Sequence, residues 1–162
     1  EAVELRDADA NRFGGKGVLK AVGAVNGELG KAVVGLQATD QRAVDQVMID
    51  LDGTPNKGRV GANAILAISL AALRAGAVSS GKEVFQHIAE LAGNDSPVEL
   101  PVPMFNVLNG GAHAMGSTDF QEFMVVPVGI DSFSEALRCG AEMYQWLQKR
   151  LLLLSVSQCE IT

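Results

Sequence analysis

The hydrophobic pattern of the chain changes near residue 92, and this change constrains the fold more than any other feature. Before it, apolar residues recur every three or four positions, the period of an amphipathic helix. Beyond it, the segments 100–108 and 120–128 are rich in Val, Phe and Met and predict strands. The helical pattern predicts helices over 16–34, 40–51, 61–78, 82–91 and 132–149. Together these elements indicate a mixed α/β fold.

The segment between the two patterns, 92–97, contains Gly, Asn, Asp, Ser and Pro, and such a composition forms loops. We therefore expect a domain boundary there. Within the first part, the stretch 61–78 is apolar nearly all round, so it predicts a central packed helix. Asp40 is an N-cap candidate for the helix before it, and Ser132 with Glu135 has the spacing of a capping box for the last helix.

Composition limits the class of protein. The chain has 13 basic and 19 acidic residues and a net charge of −6, with no basic stripe, so we expect no nucleic-acid partner. Cys139 and Cys159 lie far apart and match no metal or disulfide spacing. The longest uncharged apolar stretch, 60–73, is shorter than the roughly 20 residues of a membrane-spanning helix. We expect a cytoplasmic protein without a membrane span.

A glycine-rich interval, Asn109–Asp119, separates the two predicted strands, and long loops of this kind often carry function. His113, Gln121 and Glu122 fall in or just after it. From the residues alone this cluster is either a functional site or a solvated turn. Gln121 and Glu122 are adjacent, so they face opposite sides of a regular strand unless a bulge or a strand end re-aims one of them. The backbone amides of the loop suit a phosphate, but the P-loop pattern is absent.

Several motifs, in the same order, resemble enolase. They are the run PVPMFNVLNGGAHA over 101–114, DFQEFMVVP over 119–127, ELRD over 4–7, GKGV over 15–18, IDLDGTPNK over 49–57 and GANAILA over 61–67. The resemblance covers residues 1–149. A set of independent motifs in register is far more specific than one short pattern.

The resemblance implies an enzyme that converts 2-phosphoglycerate reversibly to phosphoenolpyruvate, a magnesium-dependent lyase of glycolysis (phosphopyruvate hydratase) that forms homodimers or larger homo-oligomers. It implies an α+β capping domain, represented over 1–98 mostly by its helices. The first strands and helix of an incomplete (β/α)8 barrel follow over 99–150. By motif, His113, Gln121 and Glu122 match substrate-contacting residues, and His113 and Glu122 match catalytic ones.

The same resemblance assigns the magnesium carboxylates, the general-acid glutamate and the base lysine to later barrel strands. We therefore assign no metal ligand here, and we do not nominate Asp50, Asp52 or Asp119. We expect a fragment that is inactive alone and whose incomplete parallel barrel leaves strand edges unpaired. We also expect its tail, 151–162, to diverge from the family, with a short extension of the last helix into it. The alternatives are a catalytically dead module for binding or oligomerisation and a non-functional translation product.

Overall fold

A computed structural model describes residues 1–94, 99–111, 114 and 116–153, and the chain divides into two compact units, Glu1–Val98 and Glu99–Thr162. The helices are α1 (Leu19–Ala24), α2 (Gly30–Val33), α3 (Gln41–Asp52), α4 (Ala62–Ser79), α5 (Val84–Leu91) and α6 (Phe133–Leu153). The strands are β1 (Phe105–Asn109) and β2 (Glu122–Val125). The regular elements of the first unit are all helices among the described residues, and both strands belong to the second.

The first predicted helix begins later than its hydrophobic pattern suggests, at Leu19 rather than near residue 16. The carboxylate of Asp7 accepts hydrogen bonds from the backbone N–H groups of Lys20 (2.9 Å) and Leu19 (2.8 Å), which caps the helix from a distant part of the chain. These two bonds, Lys20 first, hold the pKa of Asp7 below its ordinary value. A π-helical turn, Val25–Leu29, then separates α1 from α2, and Gly27 within it has non-helical angles (φ −104°, ψ −108°).

Local hydrogen bonds determine where helix α3 begins and ends. The side chain of Asp40 accepts a hydrogen bond from Ala43 N (3.0 Å), which confirms the predicted N-cap. At the other end Gly53 adopts a left-handed conformation (φ 68°) and donates to Ile49 O. The predicted helix is therefore confirmed, and Gly53 ends it.

The carboxylate of Asp52, the last residue of α3, organises the turn that leads to α4. It is 2% exposed and accepts hydrogen bonds from the hydroxyl and N–H groups of Thr54 and from the N–H groups of Arg59 (3.1 Å) and Val60 (2.9 Å). Burial raises its pKa, but these hydrogen bonds outweigh burial, so the pKa lies below its ordinary value of 3.8. Asp52 thus has a structural role.

One side of helix α4 packs on α1, α3 and α5, and the other side is exposed. The core of this unit contains Ala64 and Ile65, but Leu66 and Leu70 remain 56% and 49% exposed. The predicted central helix is therefore packed on one face, because its described neighbours leave the other face uncovered. The seven buried residues of this core are Ala21, Leu29, Val44, Met48, Val60, Ala64 and Ile65.

Among the described residues, α4 is the one helix long and apolar enough to cross a membrane by length and composition alone. The core helix of a water-soluble protein meets the same criteria, and polar side chains of α4 also form hydrogen bonds with other parts of the unit. Asn63 Oδ1 accepts from Leu5 N (3.0 Å), Asn63 Nδ2 donates to Leu5 O (3.1 Å), and Gln41 donates to Ser69 Oγ (3.0 Å). The absence of a membrane span stays a prediction.

In the second unit β1 and β2 pair antiparallel, and both strands are shorter than predicted. The expected parallel arrangement does not hold for this pair. Because the sheet has two strands among the described residues, each strand still has one outer edge with no strand beside it. Pro101 and Pro103 precede β1, and proline has no N–H to donate to a strand pair. The paired region therefore begins only at Phe105.

Helix α6 begins as predicted and extends further. Ser132 Oγ accepts a hydrogen bond from Glu135 N (3.3 Å), which is one half of the predicted capping box. The helix continues through Leu153, so the expected helical extension into the leucine run is confirmed as far as that residue. Residues 154–162 lie outside the described part of the chain.

The buried carboxylate of Asp52 leads to the first prediction. We expect Asp52→Asn to lower the free energy of unfolding by about 2 kcal/mol at pH 7, because the amide nitrogen cannot accept hydrogen bonds from buried N–H groups. Urea denaturation followed by circular dichroism measures this loss.

The pH dependence of this loss shows whether the charge of Asp52, and not only the shape of its side chain, stabilises the fold. A carboxyl whose pKa is lower in the folded than in the unfolded state stabilises the fold above pH 3.8, and this contribution disappears as the pH falls through the folded pKa. The difference in the free energy of unfolding between wild type and Asp52→Asn should therefore become smaller below pH 3.8. The control is Asp50→Asn, an exposed aspartate whose carboxylate accepts one bond, from Gln46, and which should behave as wild type. Equal effects of the two substitutions would contradict the role given to Asp52.

Candidate functional site

The glycine-rich loop between β1 and β2 is closed at its neck by two backbone hydrogen bonds. Gly110 N donates to Gln121 O (2.8 Å), and Gly111 N donates to Thr118 O (2.7 Å). A Cβ atom built on Gly110 would lie 2.1 Å from Phe120 O, so only glycine permits this approach. Gly111 adopts a left-handed conformation (φ 58°), which glycine reaches without strain. The two glycines therefore determine where the loop leaves and re-enters the strand pair.

Two of the three predicted site residues lie at the point where the loop re-enters the sheet. Gln121 directly precedes β2 and Glu122 is its first residue, and both side chains are exposed. His113 lies outside the described residues. The structure thus brings Gln121 and Glu122 to the loop neck, and the roles of all three residues stay predictions.

A bulge in β1 determines which side chains share a face with Glu122. Asn106 pairs with Met124 and Asn109 pairs with Glu122, and the register shifts at Val107 between them. Because Glu122 and Met124 are two residues apart on one strand, they point to the same face. Their partners Asn106 and Asn109 must then share that face too, although residues three apart on a regular strand point to opposite sides.

The two asparagines form a pair that the sequence analysis did not identify. Asn106 Nδ2 donates to Asn109 Oδ1 (2.5 Å). Within the described part of the chain, Asn106 Oδ1 is buried and has no hydrogen-bond partner. The sequence signal is the presence of two asparagines in the otherwise apolar strand FNVLN, because asparagine is depleted in strands.

The opposite face of the strand pair packs against α6. A Cβ atom built on Gly140 would lie 2.0 Å from the Phe105 ring, so the helix and β1 touch at a glycine. Val125 lies on the same face as Phe105 and lines, with α6, an apolar groove of about 450 Å³. One face is therefore apolar and contacts α6 at Phe105, and the other carries Asn106, Asn109, Glu122 and Met124.

The enolase resemblance implies magnesium but matches none of its ligands to residues of this chain. Magnesium prefers an octahedral set of oxygen ligands that usually includes one or two carboxylates together with water or substrate oxygens. No group of three His, Cys, Asp or Glu side chains that could hold a metal ion occurs among the residues the structure describes. We therefore derive no chemical step through a metal from this chain.

The other histidine, His87, lies in α5 of the first unit and is 2% exposed. It packs against α4, where a Cβ atom built on Gly76 would lie 2.9 Å from its Nε2 atom. Its Nδ1 atom is 3.8 Å from a carboxylate oxygen of Glu90. These contacts give His87 a structural role in the packing of α5 on α4.

The close packing at the loop neck leads to the second prediction. Gly110→Ala should displace the loop and lower the unfolding temperature of the chain, because the added methyl group would overlap Phe120 O. Thermal unfolding by circular dichroism measures the shift. The control is Gly116→Ala, where open space surrounds the added methyl group and only the left-handed backbone (φ 84°) resists it, at about 1 kcal/mol. A smaller effect at Gly110 than at Gly116 would contradict the packing described.

Comparison with known protein families agrees with the motif resemblance. Residues 1–88 match the family model of the enolase N-terminal domain, and residues 97–157 match that of the enolase C-terminal TIM barrel domain. The second match includes the first residues of the segment predicted to diverge. These matches confirm the α/β class and support an enolase-like function for a member of a lyase family. The chain belongs to the enolase family.

Proposed function

We propose that this chain contributes the substrate-contacting loop of a phosphopyruvate hydratase, the magnesium-dependent lyase that converts 2-phosphoglycerate reversibly to phosphoenolpyruvate. The observation that supports the proposal is the closed loop neck, where Gly110 and Gly111 hold the two ends of the loop together beside Gln121 and Glu122. Loops on a rigid scaffold are common sites of binding and catalysis.

The proposed contacts follow from the chemistry of the side chains. The Gln121 amide can both donate and accept hydrogen bonds, and the Glu122 carboxylate accepts them from a substrate hydroxyl. His113 is proposed to contact the substrate from within the loop. Because β2 begins at Glu122, the first of its residues held by the strand pair, the carboxylate lies on a fixed backbone. Fixed groups lose less entropy when they bind a ligand.

We further propose that these 162 residues do not turn over substrate alone. Removal of a proton beside a carboxylate creates an ene-diolate, and enolase-superfamily sites stabilise that charge with magnesium and use a Lys or His base. The enolase resemblance matches no residue of this chain to those groups. The full-length enzyme is proposed to be cytoplasmic and homo-oligomeric, with no nucleic-acid partner and no membrane span.

The test combines binding and turnover on the purified chain. With magnesium present, we expect 2-phosphoglycerate to bind in calorimetry and the ultraviolet absorbance of phosphoenolpyruvate not to rise. Glu122→Ala should weaken binding about tenfold, the effect of losing one hydrogen bond to a charged group.

The matched control is Glu99→Ala, which removes an exposed carboxylate from the same unit and should leave the affinity unchanged. Turnover by the unmodified chain would contradict the proposed inactivity. Equal affinities of wild type and Glu122→Ala would contradict the contact assigned to Glu122. No binding by any variant would contradict the proposed function itself.

A second candidate function, a module for oligomerisation, is favoured by one observation. Helix α6 exposes Trp146, Met143 and Leu137 by 60%, 46% and 48%, and exposed apolar side chains on one element favour association. We expect Trp146→Glu to reduce self-association in sedimentation velocity, because a charge would have to be buried in the contact.

The control for that experiment is Ser134→Glu, which adds the same charge at the exposed start of α6, outside the residues that line its groove. It should associate as wild type does. A monomeric wild-type chain that also fails to co-migrate with a full-length enolase on size exclusion would contradict the module.

A further inference from the structure

Helix α6 carries an exposed tryptophan well outside its contact with β1. Gly140 contacts the Phe105 ring, and an α-helix turns by about 100° per residue, so Trp146 lies about 120° around the helix from that contact. The side chain of Trp146 is 60% exposed. A large aromatic side chain leaves water only when another surface covers it, and such side chains are enriched at protein interfaces.

Trp146 stands between two grooves along this helix. Toward the strands it lines the apolar groove of about 450 Å³ together with Met143 and Leu147. On the outer side it lines a second groove of about 430 Å³ together with Gln145 and Lys149. A surface with a protruding ring and a groove beside it can pair with a second copy of itself, because a two-fold axis brings the ring of each copy to the groove of the other.

Two opposite charges border the tryptophan along the helix. Glu142 lies four residues before Trp146, Lys149 lies three residues after it, and both are exposed. Seven residues make two helical turns less about 20°, so Glu142 and Lys149 lie in one row beside the ring. Within the described part of the chain, Glu142 forms one ion pair, with Arg138 of the same helix (2.8 Å), and Lys149 forms none.

We propose that α6 binds a second copy of this chain in an antiparallel arrangement, with the two Trp146 rings at its centre and Glu142 of each copy opposite Lys149 of the other. The inference rests on the second candidate function, the module for oligomerisation, and gives that module its partner and its orientation. A parallel arrangement would place glutamate opposite glutamate and lysine opposite lysine. Charge complementarity therefore selects the antiparallel arrangement.

The size of the contact determines how strong the dimer is. Each copy contributes one helix of 21 residues, and only one side of a helix faces its partner. Stable interfaces usually contain about 20–30 residues from each partner. We therefore expect a weak, concentration-dependent dimer with a dissociation constant above about 1 μM.

The test exchanges the two charges and follows self-association of the chain by sedimentation velocity over a series of concentrations. Glu142→Lys and Lys149→Glu should each weaken the dimer about tenfold, because each places like charges opposite each other at both symmetry-related contacts. The double variant, Glu142→Lys with Lys149→Glu, should restore the affinity of wild type, because both contacts again join opposite charges.

The matched control is Glu135→Lys. Glu135 also pairs with Arg138 (2.7 Å), so this substitution removes an ion pair of the same kind from the same helix. In the proposed arrangement the α6 helix of the other copy ends opposite Arg138, and Glu135 lies beyond the contact. Glu135→Lys should therefore associate as wild type does, and far-ultraviolet circular dichroism should show equal helix content in all variants.

The outcomes separate the arrangement from the module on which it rests. A dimer that the single charge reversals do not weaken, or that the double variant does not restore, would overturn the antiparallel arrangement and leave the module. Equal weakening by Glu135→Lys and Glu142→Lys would overturn it as well. If Glu142→Lys loses helix content, Lys149→Glu decides the question, since it breaks no ion pair of the described residues.

A wild-type chain that stays monomeric at every concentration would overturn this inference. The module itself fails only if that chain also does not co-migrate with a full-length enolase.

Discussion

The register between β1 and β2 is the constraint on which the second unit depends. A single extra residue at Val107 assigns Phe105 and Val125 to one face and Asn106, Asn109 and Glu122 to the other. Because side chains alternate along a strand, a shift of one residue would exchange polar and apolar positions over part of the pair. The bulge therefore allows an apolar contact with the helix and a polar face to be built on the five residues of β1.

Two glycines allow the close contacts that α6 and the loop make with their neighbours in this unit. Gly140 lets α6 approach the Phe105 ring, and Gly110 lets the loop end approach Phe120. Neither contact has room for a methyl group. Backbone hydrogen bonds from Gly110 and Gly111 then hold the loop ends at Gln121 and Thr118, so the candidate site depends on close backbone packing as much as on its polar side chains.

Two carboxylates stabilise the first unit by accepting hydrogen bonds from its backbone. Asp7 caps α1 from 12 residues before Leu19, and Asp52 accepts hydrogen bonds from N–H groups of the turn between α3 and α4. Asp7 has a pKa below the ordinary value because backbone N–H groups donate to its charged form. Burial raises the pKa of Asp52, but hydrogen bonds from the Thr54 hydroxyl and from backbone N–H groups outweigh burial and lower it. A low pKa in this unit is thus explained by helix capping and turn formation, and it does not by itself indicate catalysis.

The sequence by itself determined the helices α3 to α6, the two-strand region, the glycine-rich loop with Gln121 and Glu122 at its end, and the enolase family, since periodicity, caps and motifs are local signals. Only the tertiary structure decided the antiparallel pairing, the bulge at Val107, the partnership of Asn106 with Asn109 and the one-sided packing of α4. The physical reason is that a local pattern specifies the conformation of a segment, whereas pairing register and burial depend on neighbours far away along the chain. The late start of α1 illustrates this difference, because the residue that caps it, Asp7, lies outside the helical pattern altogether.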